Sequence, residues 1–554
     1  MEVRLNHSSV LFRRIAKPVV LILAMCFFLY VQFRVQLNNG FTTLYGDSYD
    51  AAIVVAILQH WWNVFAGDST WSQLYYFFPY ADTLAQTDGY FLIGVIYSLI
   101  RVFGFDPFLS SELSNVCVRA IGFLSFYWML RKVFGLRFGW SVFGAGLFLI
   151  ANNLTVHGTR IQLATVAFAP FVSVLLHQAY HAFRSGNRVA MAGWGCSGGL
   201  ALGSWALTCF YMTWFYVFFA FFLFSSLFFM ASREQRKELF SDVRQHWWVL
   251  GIVAAVALLS FMPLLSIYLP KAAESGVRSY EAAANYLVPL PGVLQVGTTN
   301  LLFGEMYNNF ARVIFPGYTY SGEYYNTGIA PIIFLIFCFG SALIFFRRKL
   351  NSAYGFIAGI AVAACLTWLC VIKVGNFSLW YVVYTFFPGA KALNVVGAYQ
   401  IFLTFPVVVV VLFYLDKVID KLPVVVLLVL CGGLVLEELN RSYIALDRGA
   451  ELAKVSGLVQ PPEFCYVFYV GGWPNQVTHI DRLYAHNVSA MLIAEIVRTP
   501  TINGFASFNP PDWDLANPND VDYDQRVRSY LERHSIRNVC KLDLVTKTWA
   551  KVDP

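Results

Sequence analysis

Three carboxylates that follow the first apolar helix have the position and spacing for acid–base chemistry. Asp47 and Asp50 stand in the stretch Gly-Asp-Ser-Tyr-Asp at 46–50, and Asp88 comes just ahead of a short apolar run. A carboxylate held beside a hydroxyl can take its proton as a new bond forms. We expect Asp47 to be the catalytic base and Asp88 to be the second catalytic residue. The alternative for both is a helix cap without chemistry, and Asp50 fits the capping box of Asp47, so it is interpreted as structural.

Positively charged side chains at the same surface could bind a phosphate group. Arg160 stands close to His157 at a predicted membrane boundary, where an arginine can hold phosphate through two parallel hydrogen bonds. Lys391, which follows a Phe-Phe-Pro-Gly stretch, is a second candidate, and His157 could orient the same ligand. The alternatives are an arginine that reaches lipid head groups and a histidine with a structural role only.

The polar tail carries two residues that could bind the acceptor of a transferred group, Asn503 and Trp513. The same tail contains His479 and Asp481, which are of the types that ligate metals. Two such ligands without a third partner do not make a site. The sequence therefore predicts neither a metal nor a cofactor.

The composition places these groups on a membrane protein. Of the 554 residues, 58% are hydrophobic and only 13% are charged, and the mean hydropathy is +0.58. The net charge of +7 lies in short basic clusters between apolar runs, which is typical of topology determinants and gives no support for nucleic-acid binding. No glycine-rich phosphate loop or nucleotide fingerprint is present. The first helix lacks a small-residue cleavage site and is interpreted as a retained span.

The apolar runs predict eleven membrane spans. They are 18–37, 113–131, 138–153, 162–183, 191–207, 209–231, 246–268, 327–346, 353–372, 397–415 and 422–439. A further run at 90–104 is apolar but shorter than the roughly 20 residues that a crossing needs. We place it along the membrane interface, because the basic clusters then all fall on the cytoplasmic side with the N-terminus.

This topology predicts an all-α membrane domain at 1–439 and an extracytoplasmic domain at 440–554. Two long outer loops result, at 38–112 and 270–326. The first loop opens with an amphipathic helix near Ser48, whose tryptophans suit a helix at the interface. Strand-like runs at 465–470 and 538–544 indicate that the tail is a small α/β domain. Cys465 and Cys540 are the only cysteines of this tail, and since outward compartments are oxidising, a disulfide between them is a hypothesis.

This arrangement resembles the GT-C superfamily of polytopic glycosyltransferases, and in particular its poorly characterised bacterial members. The shared features are an outward acidic loop with surface helices, an Arg-Lys-Val-Phe-Gly turn after the second span, and several short motifs. The motifs are Gly-Asp-Ser-Tyr-Asp at 46–50, Phe-Pro-Tyr at 78–80, Thr-Asp at 87–88, His-Gly at 157–158 with Gln162, and Thr-Ile-Asn-Gly-Phe at 501–505. The superfamily often has a second acid at the outer turn after the third span, whereas 152–160 has none. The arginine-rich stretch expected at 388–399 carries only Lys391.

The resemblance implies inverting transfer of a sugar from a polyprenyl-phosphate donor to a cell-envelope glycan, lipid or protein acceptor, outside the bacterial cytoplasmic (inner) membrane. The candidate residues would act as base, as donor-phosphate ligands and as sugar-acceptor ligands. A single displacement forms no covalent glycosyl-enzyme. The rule that relates the distance between two carboxylates to the mechanism of glycoside hydrolases therefore does not apply. Two alternatives are a lipid-linked sugar flippase or transporter and a non-catalytic envelope-assembly subunit. The spans carry almost no charges near the bilayer midplane, which is less typical of a transporter.

Overall fold

A computed structural model of the chain describes residues 2–318, 327–347, 353–441, 445–471, 485–506, 509–518 and 520–552. His479 and Asp481 lie outside the described residues. The helices of the described part are α1 (Glu2–Asn38), α2 (Asp50–Ala66), α3 (Phe91–Arg101), α4 (Pro107–Lys132), α5 (Phe138–Ile150), α6 (Asn152–Val156), α7 (Phe168–Arg184), α8 (Arg188–Thr208), α9 (Phe210–Met230), α10 (Arg233–Ser275), α11 (Tyr280–Ala284), α12 (Gly304–Ile314), α13 (Pro331–Arg347), α14 (Ala353–Val371), α15 (Trp380–Phe386), α16 (Tyr399–Val418), α17 (Val424–Leu436), α18 (Arg448–Val455), α19 (Ala485–Val497) and α20 (Tyr523–Arg533). The strands are β1 (Thr43–Tyr45), β2 (Val288–Pro289), β3 (Ile372–Lys373), β4 (Ala445–Asp447), β5 (Val467–Gly471), β6 (Val539–Asp543) and β7 (Trp549–Val552).

Eight helical segments within these ranges are long and apolar enough to cross a membrane. They comprise the apolar part of α1, then α4, α5 together with α6, α7, α9, α10, α14 and α16. A bilayer core about 30 Å thick needs about 20 apolar helical residues, which these segments supply. By length and composition the chain is therefore a multi-pass, mainly helical membrane protein, as the sequence predicts.

The other three predicted spans are also helices, namely α8, α13 and α17. α8 has 21 residues, whereas α13 and α17 have 17 and 13. α8 runs alongside its neighbours: Arg188 at its start lies 5.8 Å from the centre of the Trp248 ring in α10, and the Thr208 carbonyl at its end accepts a hydrogen bond from Tyr90 N at 3.0 Å. The count of eleven spans stays a prediction.

Ion pairs between distant segments join the loops that the topology places on the cytoplasmic side. Arg137, between α4 and α5, pairs with Asp416 near the end of α16 at 3.1 Å. Arg184, at the end of α7, pairs with Glu238 in α10 at 3.3 Å. Lys132 at the end of α4 lines one cleft with residues from the end of α7, which connects the two groups. The basic clusters at 131–137, 184–188, 233–237 and 417–421 therefore share one end of the helical bundle.

The apolar run at 90–104 forms the short helix α3. It has eleven residues and a length of roughly 16 Å, far less than a bilayer core requires. The Phe91 ring lies 5.2 Å from that of Trp61 in α2. Gly94 faces the same indole, and a Cβ atom there would lie 2.4 Å from its nearest atom. α3 therefore packs on α2, and its length agrees with the predicted placement outside the spans.

α2 is the helix predicted in the first outer loop, but it is covered by protein rather than facing lipid. Eleven of its 17 residues are buried, and α3, α4 and α19 pack on it. Asn63 donates a hydrogen bond to the Glu495 carboxylate in α19 at 2.9 Å, and His60 Nδ1 lies 3.8 Å from that group. Burial raises the pKa of Glu495 to about 8 and lowers that of His60 to about 4, so both are uncharged at neutral pH.

The tail contains the α/β unit that the sequence predicts. β5 pairs parallel to β6, with Phe468 opposite Cys540, and β6 pairs antiparallel to β7. The predicted strand-like runs correspond to β5 and β6. Cys465 and Cys540 form a disulfide, with a Cα–Cα distance of 5.6 Å, so this hypothesis is confirmed.

Backbone pairing attaches the tail to the first outer loop at two places. β1 pairs antiparallel with β4. Farther along, Phe77 N donates to the Asn503 carbonyl at 3.1 Å and Phe78 N donates to the Thr501 carbonyl at 3.0 Å. Thr501 N in turn donates to the carbonyl of Tyr75 at 2.7 Å. Two motifs separated by more than four hundred residues are therefore joined like neighbouring strands.

Candidate functional site

A cavity of about 230 Å³ lies where the first outer loop, the turn after α6, the starts of α9 and α16, and the tail meet. The polar side chains that line it are Asp50, Thr87, Asp88, Tyr90, His157, Arg160, Gln162, Tyr211 and Thr327. Ligand sites are typically concave, with a few polar groups that converge on the ligand. All of these segments belong to the side that the topology prediction places outside.

Asp88 reaches the cavity from a turn that is held tightly against the end of α8. A Cβ atom on Gly89 would lie 2.1 Å from the Leu207 carbonyl oxygen, so only glycine fits this close approach. Tyr90 has a φ of 53°, in the left-handed region that few residues other than glycine adopt. Strain of this kind persists only where surrounding contacts fix the backbone, and it is common at functional sites. The turn therefore fixes the position of Asp88.

Burial and a hydrogen bond to the N-terminus of a helix both act on the Asp88 carboxylate. It accepts a hydrogen bond from the backbone N–H of Phe210, the first residue of α9, at 3.3 Å. That bond favours the ionised form, but burial outweighs it and raises the pKa of Asp88 to about 6. A carboxylate with such a pKa is still mostly ionised at neutral pH and is a stronger base than an ordinary aspartate. Asp88 is thus suited to general-base catalysis.

Asp50 and Arg160 form an ion pair at the cavity wall. Arg160 Nε lies 2.9 Å from Asp50 Oδ2, and the arginine side chain is only 17% exposed. Asp50 is the first residue of α2, and Arg160 belongs to the turn that follows α6. The sequence interpretation of Asp50 as structural missed its place in the cavity, because its pairing with Arg160 depends on packing between distant segments.

Asp47, the predicted base, bonds to the backbone at the start of α2, two residues ahead of the N-cap residue Tyr49. Its Oδ1 accepts hydrogen bonds from Tyr49 N at 3.0 Å and from Ala51 N at 3.4 Å, and it is not among the described residues that line the cavity. Burial and the neighbouring Asp50 carboxylate raise its pKa. These contacts match the helix-capping alternative, whereas the catalytic role of Asp47 stays a prediction.

His157 and Arg160 both line the cavity, but Lys391 does not. Burial, with a smaller effect from Arg160, lowers the pKa of His157 to about 3, so its imidazole is uncharged at neutral pH. It can exchange hydrogen bonds with a phosphate but adds no charge. Lys391 is exposed, and its ammonium lies 5.7 Å from the centre of the Tyr384 ring. It precedes Val395, which does line the cavity, and its phosphate role stays a prediction.

Asn503 and Trp513, the predicted sugar-acceptor ligands, are buried inside the tail. The Asn503 side chain accepts from Val470 N at 2.9 Å and donates to Asn487 Oδ1 at 2.8 Å. The Trp513 indole donates to the Ile502 carbonyl at 2.8 Å. These bonds account for both side chains within the tail's own packing. Their acceptor role stays a prediction.

The tail reaches the cavity through Phe505, the last residue of the 501–505 motif, and Ala506, neither of which was a candidate site residue. Phe505 and Ala506 follow the Asn-Gly turn of the 501–505 motif and form part of the cavity wall. A Cβ atom on Gly504 would lie 2.6 Å from the Phe77 ring, so the chain passes close to the first outer loop at this point. The motif was a signal for this region, but which of its residues face the cavity depends on the docking of the tail.

An acidic side chain from a distant segment contacts the outer turn at 152–160, which contains no acid of its own. The Glu438 carboxylate, just after α17, accepts a hydrogen bond from the backbone N–H of Asn152. The Asn152 side-chain oxygen accepts from Asn300 Nδ2 at 3.2 Å and from Asn440 Nδ2 at 3.1 Å. Glu438 is 5% exposed and lies outside the cavity lining, so this network fixes the turn behind His157 and Arg160.

Across the described ranges, no group of three or more histidine, cysteine, aspartate or glutamate side chains is arranged to hold a metal ion. No protein-family model matches the chain, and no curated protein matches it in sequence. The residues of the site are therefore the basis for its proposed chemistry.

Proposed function

We propose that the chain is an inverting glycosyltransferase that moves a sugar from a polyprenyl-phosphate donor to a cell-envelope glycan, lipid or protein acceptor on the outer side of the bacterial cytoplasmic membrane. One observation carries the proposal. A basic carboxylate, Asp88, and a guanidinium, Arg160, line the same cavity beside the outer ends of apolar helices. Transfer from a lipid phosphate needs these two functions together, since a proton must be removed and a leaving phosphate stabilised.

The reaction assigns one role to each group. The sugar-acceptor hydroxyl attacks the anomeric carbon, and its oxygen–carbon bond forms as its proton passes to Asp88. The bond from the anomeric carbon to the phosphate oxygen breaks on the opposite side, which inverts the configuration. The polyprenyl phosphate leaves with the electron pair of that bond, and Arg160 stabilises its charge. Asp50 holds the guanidinium before the donor binds, and the phosphate competes with it for that partner.

Asp88 is preferred to Asp47 as the base in this proposal. Asp88 lines the cavity and carries the raised pKa of about 6. The Asp47 carboxylate is already bonded to the backbone N–H of Tyr49, just before α2, and to that of Ala51 in its first turn. A base has to lie within hydrogen-bond reach of the proton that it takes, so the cavity position favours Asp88.

The test uses the purified full-length protein with radiolabelled polyprenyl-phosphate sugars and a cell-envelope extract as the source of acceptors. We expect transfer by the wild type, a loss of about a hundredfold or more in Asp88→Asn, and little loss in Asp47→Asn. Asp242→Asn, at the opposite end of the bundle, is the control for removing an aspartate charge. Absence of transfer by the wild type with every donor would overturn the proposal and favour a flippase or a non-catalytic subunit. Equal transfer by wild type and Asp88→Asn would remove Asp88 from the reaction.

A further inference from the structure

The polar cavity lining that is left after the proposed catalytic groups are assigned carries no charge. Asp88 is assigned to the sugar acceptor, and Arg160 with Asp50 to the donor phosphate. The main polar side chains that remain are His157, Gln162, Tyr90, Tyr211 and Thr327. In a polyprenyl-phosphate sugar, these uncharged side chains would contact a part other than the phosphate.

His157 and Gln162 each carry a buried polar atom without a partner. His157 is 5% exposed, and neither its Nε2 nor the Gln162 Oε1 has a hydrogen-bond partner among the residues that the structure describes. Leaving such an atom unpaired costs about 1–3 kcal/mol, so buried polar atoms are usually bonded. Because both side chains line the cavity, a ligand with hydroxyl groups could reach and satisfy them after small side-chain rotations.

Tyr211 adds a hydroxyl donor at a fixed position. Its oxygen accepts hydrogen bonds from Asn394 N at 2.7 Å and from Val395 N at 3.4 Å, just before α16. A hydroxyl that accepts from N–H groups keeps its own hydrogen for donation. Since Val395 also lines the cavity, that hydrogen is available to a ligand at this wall.

Charged substituents on a sugar do not fit this lining. A carboxylate would need a cation, but Arg160 is held by Asp50 and is assigned to the phosphate. An ammonium group would pair with Asp88 or Asp50 and lower the basicity that the reaction requires. A buried charge without its own partner is strongly unfavourable, whereas hydroxyl groups can both donate to and accept from neutral side chains.

We propose that His157, Gln162 and Tyr211 form a subsite for an uncharged sugar head group, whose hydroxyls they bind. This inference rests on the proposed function and narrows its donor to polyprenyl phosphates of neutral hexoses or pentoses. His157 is uncharged at neutral pH, so it contributes to this subsite as a neutral hydrogen-bonding group.

The test measures the binding of three probes to full-length protein in lipid nanodiscs: polyprenyl phosphate, polyprenyl-phosphate hexose and a polyprenyl-phosphate amino sugar. We expect the wild type to bind the neutral hexose compound about tenfold or more tightly than bare polyprenyl phosphate, and the amino sugar compound no more tightly than the bare lipid. In His157→Ala and Gln162→Leu the hexose-dependent gain falls to about threefold or less. Affinity for bare polyprenyl phosphate stays unchanged, which also shows that the variants are folded.

His181→Ala and Gln178→Leu are matched controls, because both side chains line a separate cleft at the opposite end of the bundle. They should keep the full hexose-dependent gain. The inference is overturned if the wild type shows no such gain, if both cavity variants keep it, or if the amino sugar compound binds best. If bare polyprenyl phosphate and both of its sugar conjugates fail to bind, the proposed function itself fails, which is a different result from the loss of sugar discrimination alone.

Discussion

The carboxylate of Asp88 accepts a hydrogen bond from the backbone N–H of Phe210, 122 residues later, at 3.3 Å. This contact joins the first outer loop to the start of α9, whose helix dipole favours a negative charge at that point. Burial acts in the opposite direction and is the stronger effect, so the pKa of Asp88 rises to about 6. The surroundings of Asp88 in the fold therefore set the pH above which this carboxylate can act as the proposed base.

The pH dependence of transfer should follow the ionisation of Asp88. A base acts only when deprotonated, so kcat/KM should rise with pH and reach half of its maximum near pH 6, the pKa raised by burial. An ordinary aspartate, with a pKa of about 3.9, would give a flat profile above about pH 5. Initial rates between about pH 5 and pH 8 measure this. Such a flat profile in the wild type, or an unchanged inflection in Asp88→Asn, would show that another group is the base.

Replacing Asp47 should affect stability more than transfer. Asp47→Ala removes the side-chain oxygen that bonds the backbone N–H groups of Tyr49 and Ala51 at the start of α2, at a cost of about 1 kcal/mol in the free energy of unfolding. Asp47→Asn keeps such an oxygen and should unfold close to the wild-type temperature. Thermal unfolding in detergent and transfer per folded molecule measure the two effects. A loss of about a hundredfold in transfer by Asp47→Asn, with wild-type stability, would restore Asp47 as the base.

The ion pair of Asp50 and Arg160 predicts that replacing one or the other of its members changes the donor KM in opposite directions. Arg160→Gln removes the charge that faces the phosphate and should raise the donor KM about tenfold or more. Asp50→Asn removes the competing carboxylate and should lower the donor KM. Arg160→Lys should fall between Arg160→Gln and the wild type, because lysine keeps the charge but cannot bind two phosphate oxygens in parallel. Steady-state kinetics at varied donor concentration checks this order, and a donor KM that all three changes leave at the wild-type value would place the phosphate elsewhere.

The topology predicts which engineered cysteines a membrane-impermeant thiol reagent can reach. Val545 in the tail is 56% exposed, and the Glu238 side chain near the start of α10 is 62% exposed. In intact cells we expect labelling of Val545→Cys but not of Glu238→Cys, and the reverse in inside-out vesicles. The parent protein gives the background from the native cysteines. Labelling of both positions in intact cells, or of Glu238→Cys alone, would contradict the assigned orientation.

Local sequence patterns predicted most of the elements of this fold. Long apolar runs specify helices because a span has to satisfy its backbone groups internally, and the short runs rich in valine and aromatic residues or leucine near Val467 and Val539 specify strands. Asp88 was also found from sequence, since an acid ahead of a short apolar run in an outer loop is a local signal. These predictions needed only neighbouring residues.

The partners of the site residues could not be predicted in the same way. Asp50 reaches the cavity because Arg160 lies opposite it, and Phe505 does so because the tail docks on the first outer loop. Glu438 accepts a hydrogen bond from the backbone N–H of Asn152, in a turn almost three hundred residues earlier. Each relation depends on the register between distant helices. The same dependence explains why α2, with a pattern suited to the interface, is instead buried under α19.

The cavity wall formed by Phe505 and Ala506 has a consequence for biosynthesis. This segment is translated after every helix of the bundle, so a nascent chain with all of its helices inserted still has an open, incomplete site. The wall is completed only when the tail has folded and its 501–503 stretch has paired with the 75–78 segment. Partly synthesised or prematurely terminated chains that end before Phe505 would therefore carry Asp88 and Arg160 without this part of the cavity wall.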